Sequence, residues 1–117
     1  MIKIYHLANC TTCQRIIKEL NPGPEVEYQN IKEEKITPAQ IEEMHKMAGS
    51  YEALFSRRAM KYREWGLGQK NLTEEDYKQY ILDEYTFLKR PVIIVEDQIF
   101  IGNTQKVVEA AKAALHP

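Results

Sequence analysis

Apolar and polar residues alternate over residues 2–7, Ile-Lys-Ile-Tyr-His-Leu, which is the period-2 pattern of a strand. The period changes over Thr11–Leu20, where Cys13, Ile16, Ile17 and Leu20 recur at helical spacing and Asn21-Pro22-Gly23-Pro24 supplies the stop. Residues 26–31 alternate again. Strand, helix and strand in so short a stretch predict a βαβ unit with a right-handed crossover.

The middle of the chain carries helical signals. Thr37 is placed as an N-cap, with Pro38 in the first helical position and Gln40 and Glu42 in the first turns. Ile41, Met44, His45 and Met47-Ala48 continue the periodic face up to Gly49. A short piece follows over 52–55, and Leu67-Gly68 closes the next segment. Thr73 caps a second long helix with Glu74, Glu75 and Asp76 in its first turn, where negative charge is favourable. Tyr77, Tyr80, Ile81, Tyr85 and Leu88 are read as its buried face.

After Pro91 the apolar run Val92–Val95 predicts a central strand. A turn at 96–98 and a returning strand at 99–101 make a hairpin. Residues 104–115 form a terminal amphipathic helix with Val107, Val108, Ala111 and Leu115 inward. The order β-α-β, helices, β-β-α predicts an α/β fold of thioredoxin type with a mixed sheet. The whole chain, 1–117, is expected to form a single domain with a helical insertion over about 37–87.

With 117 residues the chain is one domain's worth. Sixteen basic against seventeen acidic residues give a net charge of -1, which argues against direct nucleic-acid binding. No stretch approaches membrane-spanning length. The opening residues lack the charged and apolar regions of an export signal. The two cysteines are too few for a secreted disulfide scaffold, so a reducing cytoplasm is expected.

Those cysteines carry the chemistry. Cys10-Thr11-Thr12-Cys13 lies where the first strand turns into the first helix. Unpaired N–H groups at a helix start and the positive end of its dipole stabilise an anion, so a thiolate is favoured there. Cys13, three positions on, shares the face of Cys10, so an internal disulfide is geometrically reasonable. Cys10 would attack and Cys13 would resolve. Two ordinary buried cysteines are the plainer alternative. A zinc site is another, but it needs about four ligands, and beyond the pair and His6 none is evident, so no metal is expected.

The string Ile4-Tyr5-His6-Leu7-Ala8-Asn9-Cys10-Thr11-Thr12-Cys13-Gln14-Arg15 resembles the first strand and active-site loop of the arsenate reductase (ArsC) family, which includes glutaredoxin-like reductases and the Spx-type transcription regulators. Leu54-Phe55-Ser56-Arg57-Arg58, Tyr62-Arg63-Glu64-Trp65-Gly66-Leu67, Leu88-Lys89-Arg90-Pro91-Val92 and Ile101-Gly102-Asn103 resemble further segments of that family, in the same order. The resemblance implies a thiol-dependent reductase with Cys10 as nucleophile and Arg58 and Arg90 as arginines that approach thiolate and substrate. Pro91 matches the proline that is cis in thioredoxin-like folds, and His6 matches a first-strand histidine that would lower the Cys10 pKa. Thr11, Thr12 and Pro91 are the candidate cofactor-binding positions. No bound cofactor is expected; glutathione, glutaredoxin or thioredoxin would be the external reductant. The substrate would be a small oxyanion or a disulfide, and the protein a monomer.

The sequence also departs from the family pattern. The turn Ile101-Gly102-Asn103-Thr104 offers no arginine, and Ser56 falls near a position where arsenate reductases carry one. A tetrahedral oxyanion prefers several bidentate donors, so the pocket would be weaker. The second cysteine is more like the Spx-type regulators, for which the expected partner is RNA polymerase. Arg57, Arg58, Lys61 and Arg63, interleaved with Tyr62 and Trp65, are either a solvated face or a surface for an anion or thiol cofactor beside the active site, with nucleic acid a weaker third reading given the overall charge. His45 and His116 are expected at the surface.

Overall fold

Ile4 and Ile93 face one another at the centre of a four-stranded sheet in this computed structural model, which describes residues 1–117. Strand β1 (Ile2–His6) runs parallel to β2 (Val26–Asn30) and antiparallel to β3 (Val92–Val95). Strand β4 (Gln98–Ile101) pairs antiparallel with β3, giving the order β2-β1-β3-β4. All four residues of β3 are buried, as an unbroken apolar strand in the sheet interior requires. The hairpin turn is tighter than expected: Gln98 already belongs to β4, and Glu96 takes a left-handed φ of 54°.

The chain divides into two units, Met1–Glu34 with Arg90–Pro117, and Lys35–Lys89. The first holds the sheet together with α1 (Thr11–Leu20) and α5 (Gln105–Leu115). Ile4, Ile93 and Val95 of the sheet pack with Ile16 and Leu20 of α1 and with Val108 and Ala111 of α5. Burial of this kind stabilises by about 25 cal/mol per Å² of apolar surface. The β-α-β and β-β-α connections give the mixed thioredoxin-type sheet that the element order predicts.

The second unit contains α2 (Pro38–Ala48), α3 (Met60–Glu64) and α4 (Glu74–Asp83). Thr37 and Gln40 make a full capping box at α2, and Thr73 and Asp76 make one at α4. Each satisfies backbone N–H groups that a helix start leaves open. The core is aromatic: Phe55 stacks on Phe87 at 5.1 Å and tilts against Tyr77 at 4.9 Å. Ser56 N–H donates to Phe87 O, and Lys89 N–H donates to Leu54 O, fastening the unit's two connecting segments.

Two expectations, the buried face of the second long helix and a surface His45, need correction here. Helix α4 ends at Asp83, so Tyr85 and Leu88 are not on its face. Glu84 adopts extended angles, and its carboxylate accepts from Thr86 N–H and Oγ1–H, starting a separate 3₁₀ turn at Tyr85–Phe87. Leu88 is still fully buried, but through a β-bridge to Phe55. The segment around 52–55 is a 3₁₀ turn, Glu52–Leu54. His45 is half-buried and stacks on Tyr51 at 4.1 Å, with the Tyr51 hydroxyl donating to Glu42. No helix is long and apolar enough to cross a membrane.

Candidate active site

Cys10 is the N-cap residue of α1, with extended angles of φ -91° and ψ 118°. That position ordinarily holds Ser, Thr, Asp or Asn, whose oxygen takes the next free N–H groups. The Cys10 thiol makes no such cap bond. The donors of the first turn are therefore available to a sulfur anion.

Two effects oppose one another at Cys10. Burial raises its pKa. The Cys13 N–H, the Cys13 thiol, the Thr12 N–H and the positive charge of Arg90 lower it. The lowering effects win, so the Cys10 thiol sits below its ordinary value. Cys13 behaves in the opposite way. It is buried, and desolvation, together with the Cys10 charge and the hydrogen bond to Cys10, pushes its pKa up to about 11, against weaker lowering by Leu7 and Arg90. Both thiols are free. One helical turn therefore holds a sulfur inclined to ionise beside one inclined to keep its proton.

Arg90 stands immediately before β3, and the Arg90–Pro91 peptide bond is cis. Pro91 is buried, and its carbonyl accepts from Gly102 N–H at 3.0 Å, linking the start of β3 to the turn after β4. Gly102 has φ 96°, a left-handed value natural to glycine. Thr12 acts on Cys10 through its peptide N–H, while Thr11 opens α1 and is exposed.

His6 stands at the strand end nearest the cysteine turn. It is half-buried at the end of β1 and meets the Tyr28 ring edge-on at 5.6 Å. Desolvation lowers its pKa, which favours a neutral ring at neutral pH. The groups acting on Cys10 are those of Cys13, Thr12 and Arg90.

Arg58 belongs to the second unit, on the turn before α3. With Arg57, Tyr62, Arg63 and Gln69 it lines an open pocket of about 840 Å³. Arg57 is pinned there by the Glu52 carboxylate at 2.7 Å and the Tyr77 hydroxyl at 2.9 Å. The basic cluster of the sequence is thus divided, since Lys61 also pairs with Glu84 at 2.8 Å. No group of three or more His, Cys, Asp or Glu side chains is placed to hold a metal.

Two residues that the sequence reading did not single out hold the loop that carries Cys10. Gln14 Nε2 donates to Ala8 O at 2.7 Å, and Ala8 N–H donates to Asn30 Oδ1 at 3.3 Å. The contact with Asn30 follows from the register that sets His6 beside Asn30. Strand alternation alone does not give that register.

Comparison with known proteins places this architecture. The sequence pattern of the ArsC family matches residues 5–111. An arsenate reductase from Vibrio cholerae superposes with a TM-score of 0.79 at 17% identity, over 97% of this chain and 97% of that one. A protein from Staphylococcus aureus COL gives a TM-score of 0.76 at 27% identity, over 94% and 97%. An arsenate reductase (ArsC) related protein from Brucella melitensis gives 0.71 at 21% identity, over 93% and 92%. No curated protein matches the chain. The family pattern takes in the cysteine turn at one end and the cis-proline strand, β-hairpin and most of α5 at the other, and the chain belongs to the ArsC family.

Proposed function

We propose that this protein is a thiol-dependent reductase with Cys10 as nucleophile and Cys13 as resolving thiol. The observation that carries the reading is the placement of the two cysteines, Cys10 at the N-cap of α1 and Cys13 buried in its first turn, which favours ionisation of the first thiol and pushes the second up to about 11. Such a pair offers one thiol that ionises more readily than an ordinary cysteine and one that holds its proton in reserve.

The electrons balance through two exchanges. Cys10 thiolate attacks one sulfur of a disulfide substrate. A Cys10–sulfur bond forms, the substrate S–S bond breaks, and the first thiolate leaves and takes up a proton. Cys13 then gives up its proton and attacks Cys10 Sγ. The second substrate thiolate leaves, and the Cys10–Cys13 disulfide remains. The substrate gains the two electrons that the cysteine pair loses. An external thiol such as glutathione, or a glutaredoxin or thioredoxin, returns them. Arg90 stabilises the attacking thiolate, and Arg58 is the second arginine proposed to meet an anionic substrate. A small oxyanion such as arsenate, after which several of the structural relatives are named, is the other substrate class. The proposed setting is the cytoplasm, whose reducing thiols keep the pair open.

The test is turnover of a glutathione mixed disulfide and of arsenate by wild type, Cys10→Ser and Cys13→Ser. Loss of all turnover in Cys10→Ser, with a trapped mixed disulfide in Cys13→Ser, is the expected result. Equal turnover in wild type and Cys10→Ser overturns the reading. The dithiol also supports a second reading, an Spx-type redox regulator that binds RNA polymerase. A wild type that forms the internal disulfide but turns over neither substrate would favour it.

A further inference from the structure

The N–H groups of Thr12 and Cys13 favour an anion at Cys10, and they can do so only if the chain enters α1 at the right angle. That entry is a turn in which Cys10 N–H donates to Leu7 O at 3.0 Å, with Ala8 and Asn9 at its centre. Both backbone polar atoms of Ala8 are held by side chains. Its N–H is taken by Asn30 Oδ1 at the end of β2, and its carbonyl by Gln14 Nε2 in the first turn of α1. Gln14 also donates its own backbone N–H to Cys10 O at 3.0 Å. One residue thus grips the chain on both sides of the turn, through its backbone at Cys10 and its side chain at Ala8. Asn30 further accepts from Lys32 N–H at 3.4 Å, which fixes its own amide.

These bonds are exposed, so their net worth to stability is small. Their orientation is specific, however, because a carboxamide that donates to Ala8 O ties the turn to the same helix that supplies the thiolate's donors. We propose that Gln14 and Asn30 are positioning residues that hold the Leu7–Cys10 turn so that Cys10 Sγ lies against the Thr12 and Cys13 N–H groups. This rests on Cys10 being the nucleophile. Gln14 acts from inside the Cys-Thr-Thr-Cys helix and Asn30 from the neighbouring strand, and they meet at Ala8.

The experiment is the pH dependence of Cys10 alkylation by iodoacetamide, read by mass spectrometry, in wild type, Gln14→Met and Asn30→Leu. Methionine keeps the length of Gln14 without its donor. Both variants are expected to move the midpoint upward and to slow alkylation at pH 7 by about threefold, equivalent to about half a pH unit. The thermal midpoint should stay within a few degrees of wild type, since only exposed hydrogen bonds are lost. Asn30→Asp keeps the acceptor for the Ala8 N–H and should hold the turn, so its alkylation rate in high salt, where its added charge is screened, should lie nearer wild type than that of Asn30→Leu. If wild type shows a low midpoint and both Gln14→Met and Asn30→Leu reproduce it, the positioning role is overturned while the nucleophile stands. If wild-type Cys10 titrates at the ordinary thiol value, the nucleophile reading itself fails. Should one variant not fold, the other decides alone.

Discussion

Cys13 follows Cys10 by three positions at the mouth of α1, and its N–H and thiol favour the Cys10 anion while burial, with the Cys10 charge added, keeps Cys13 itself protonated. A donor stabilises the anion it points at and is itself harder to ionise. Replacing Cys13 by alanine removes the donor, whereas serine keeps an O–H in its place. Cys13→Ala is therefore expected to raise the Cys10 midpoint, with Cys13→Ser lying between it and wild type. Thiolate absorbance followed against pH in the reduced proteins checks the order. A Cys13→Ala curve lying on the wild-type one would count against the contact.

The same pair links stability to pH in two opposite senses. Cys10 has a folded pKa below its unfolded value, so its contribution is complete above the unfolded value and is lost as pH falls through the folded one. Cys13 has a folded value of about 11 against an ordinary 9.0, so between these values the unfolded chain holds fewer protons and stability falls as pH rises. The thiol-linked part of stability should peak near the ordinary thiol value. Urea unfolding of the reduced protein from pH 7 to 11 measures it. Subtracting the curve of Cys13→Ala from that of wild type should isolate the alkaline decline that this thiol causes.

The positive charge of Arg90 acts on the cysteines, so its replacement by glutamine should raise the Cys10 midpoint and Arg90→Lys should restore much of the wild-type value. High salt should narrow the gap between wild type and Arg90→Gln, because a partly exposed charge is screened. The alkylation profile at low and high ionic strength tests both points. A salt-independent effect of Arg90→Gln would show that the arginine works through packing instead.

These residues were unequally legible. Local rules suffice for the Thr37–Gln40 and Thr73–Asp76 caps, the Val92–Val95 strand and the cysteine turn, since each is a short-range pattern. The end of α4 was not legible, because Tyr85 and Leu88 keep the helical period while the Glu84 carboxylate diverts the backbone into a new turn. His6 illustrates the same limit at the site. Its place on the strand is visible, but its burial and its contact with Tyr28 depend on how β1 pairs with β2. Arg90 was legible only through family resemblance, because spacing says nothing of a charge eighty residues from the cysteine it influences.

Lys3 offers a test of the sheet itself. Its ammonium meets Glu27 at 2.6 Å across the β1–β2 pair, with its side chain 11% exposed against 66% for Glu27. Removing the acid leaves a mostly buried cation without that partner, whereas removing the lysine leaves an exposed carboxylate that water can solvate. Glu27→Ala is expected to cost about 1 kcal/mol and Lys3→Met less, since methionine fills the space of the lysine stem. Urea midpoints of the two variants give the comparison, and a larger loss in Lys3→Met would reverse the argument.

Gly102 closes the turn that meets the start of β3, and its cost on substitution can be argued from two facts. Its φ of 96° is a left-handed value that a side chain disfavours, and a Cβ built there meets nothing within 4 Å. Alanine would therefore introduce backbone strain without a clash, a loss of about 1–2 kcal/mol. The turn has a second way to respond: it can relax toward negative φ and give up the 3.0 Å bond from Gly102 N–H to Pro91 O. The two responses differ in what reaches the site. Strain absorbed in place lowers the urea midpoint of Gly102→Ala and leaves Cys10 alkylation at its wild-type pH midpoint. A turn that relaxes frees the Pro91 carbonyl beside Arg90, and the alkylation midpoint should rise as it does in Arg90→Gln. With open space around the Cβ and no steric push to move the backbone, the first outcome is expected.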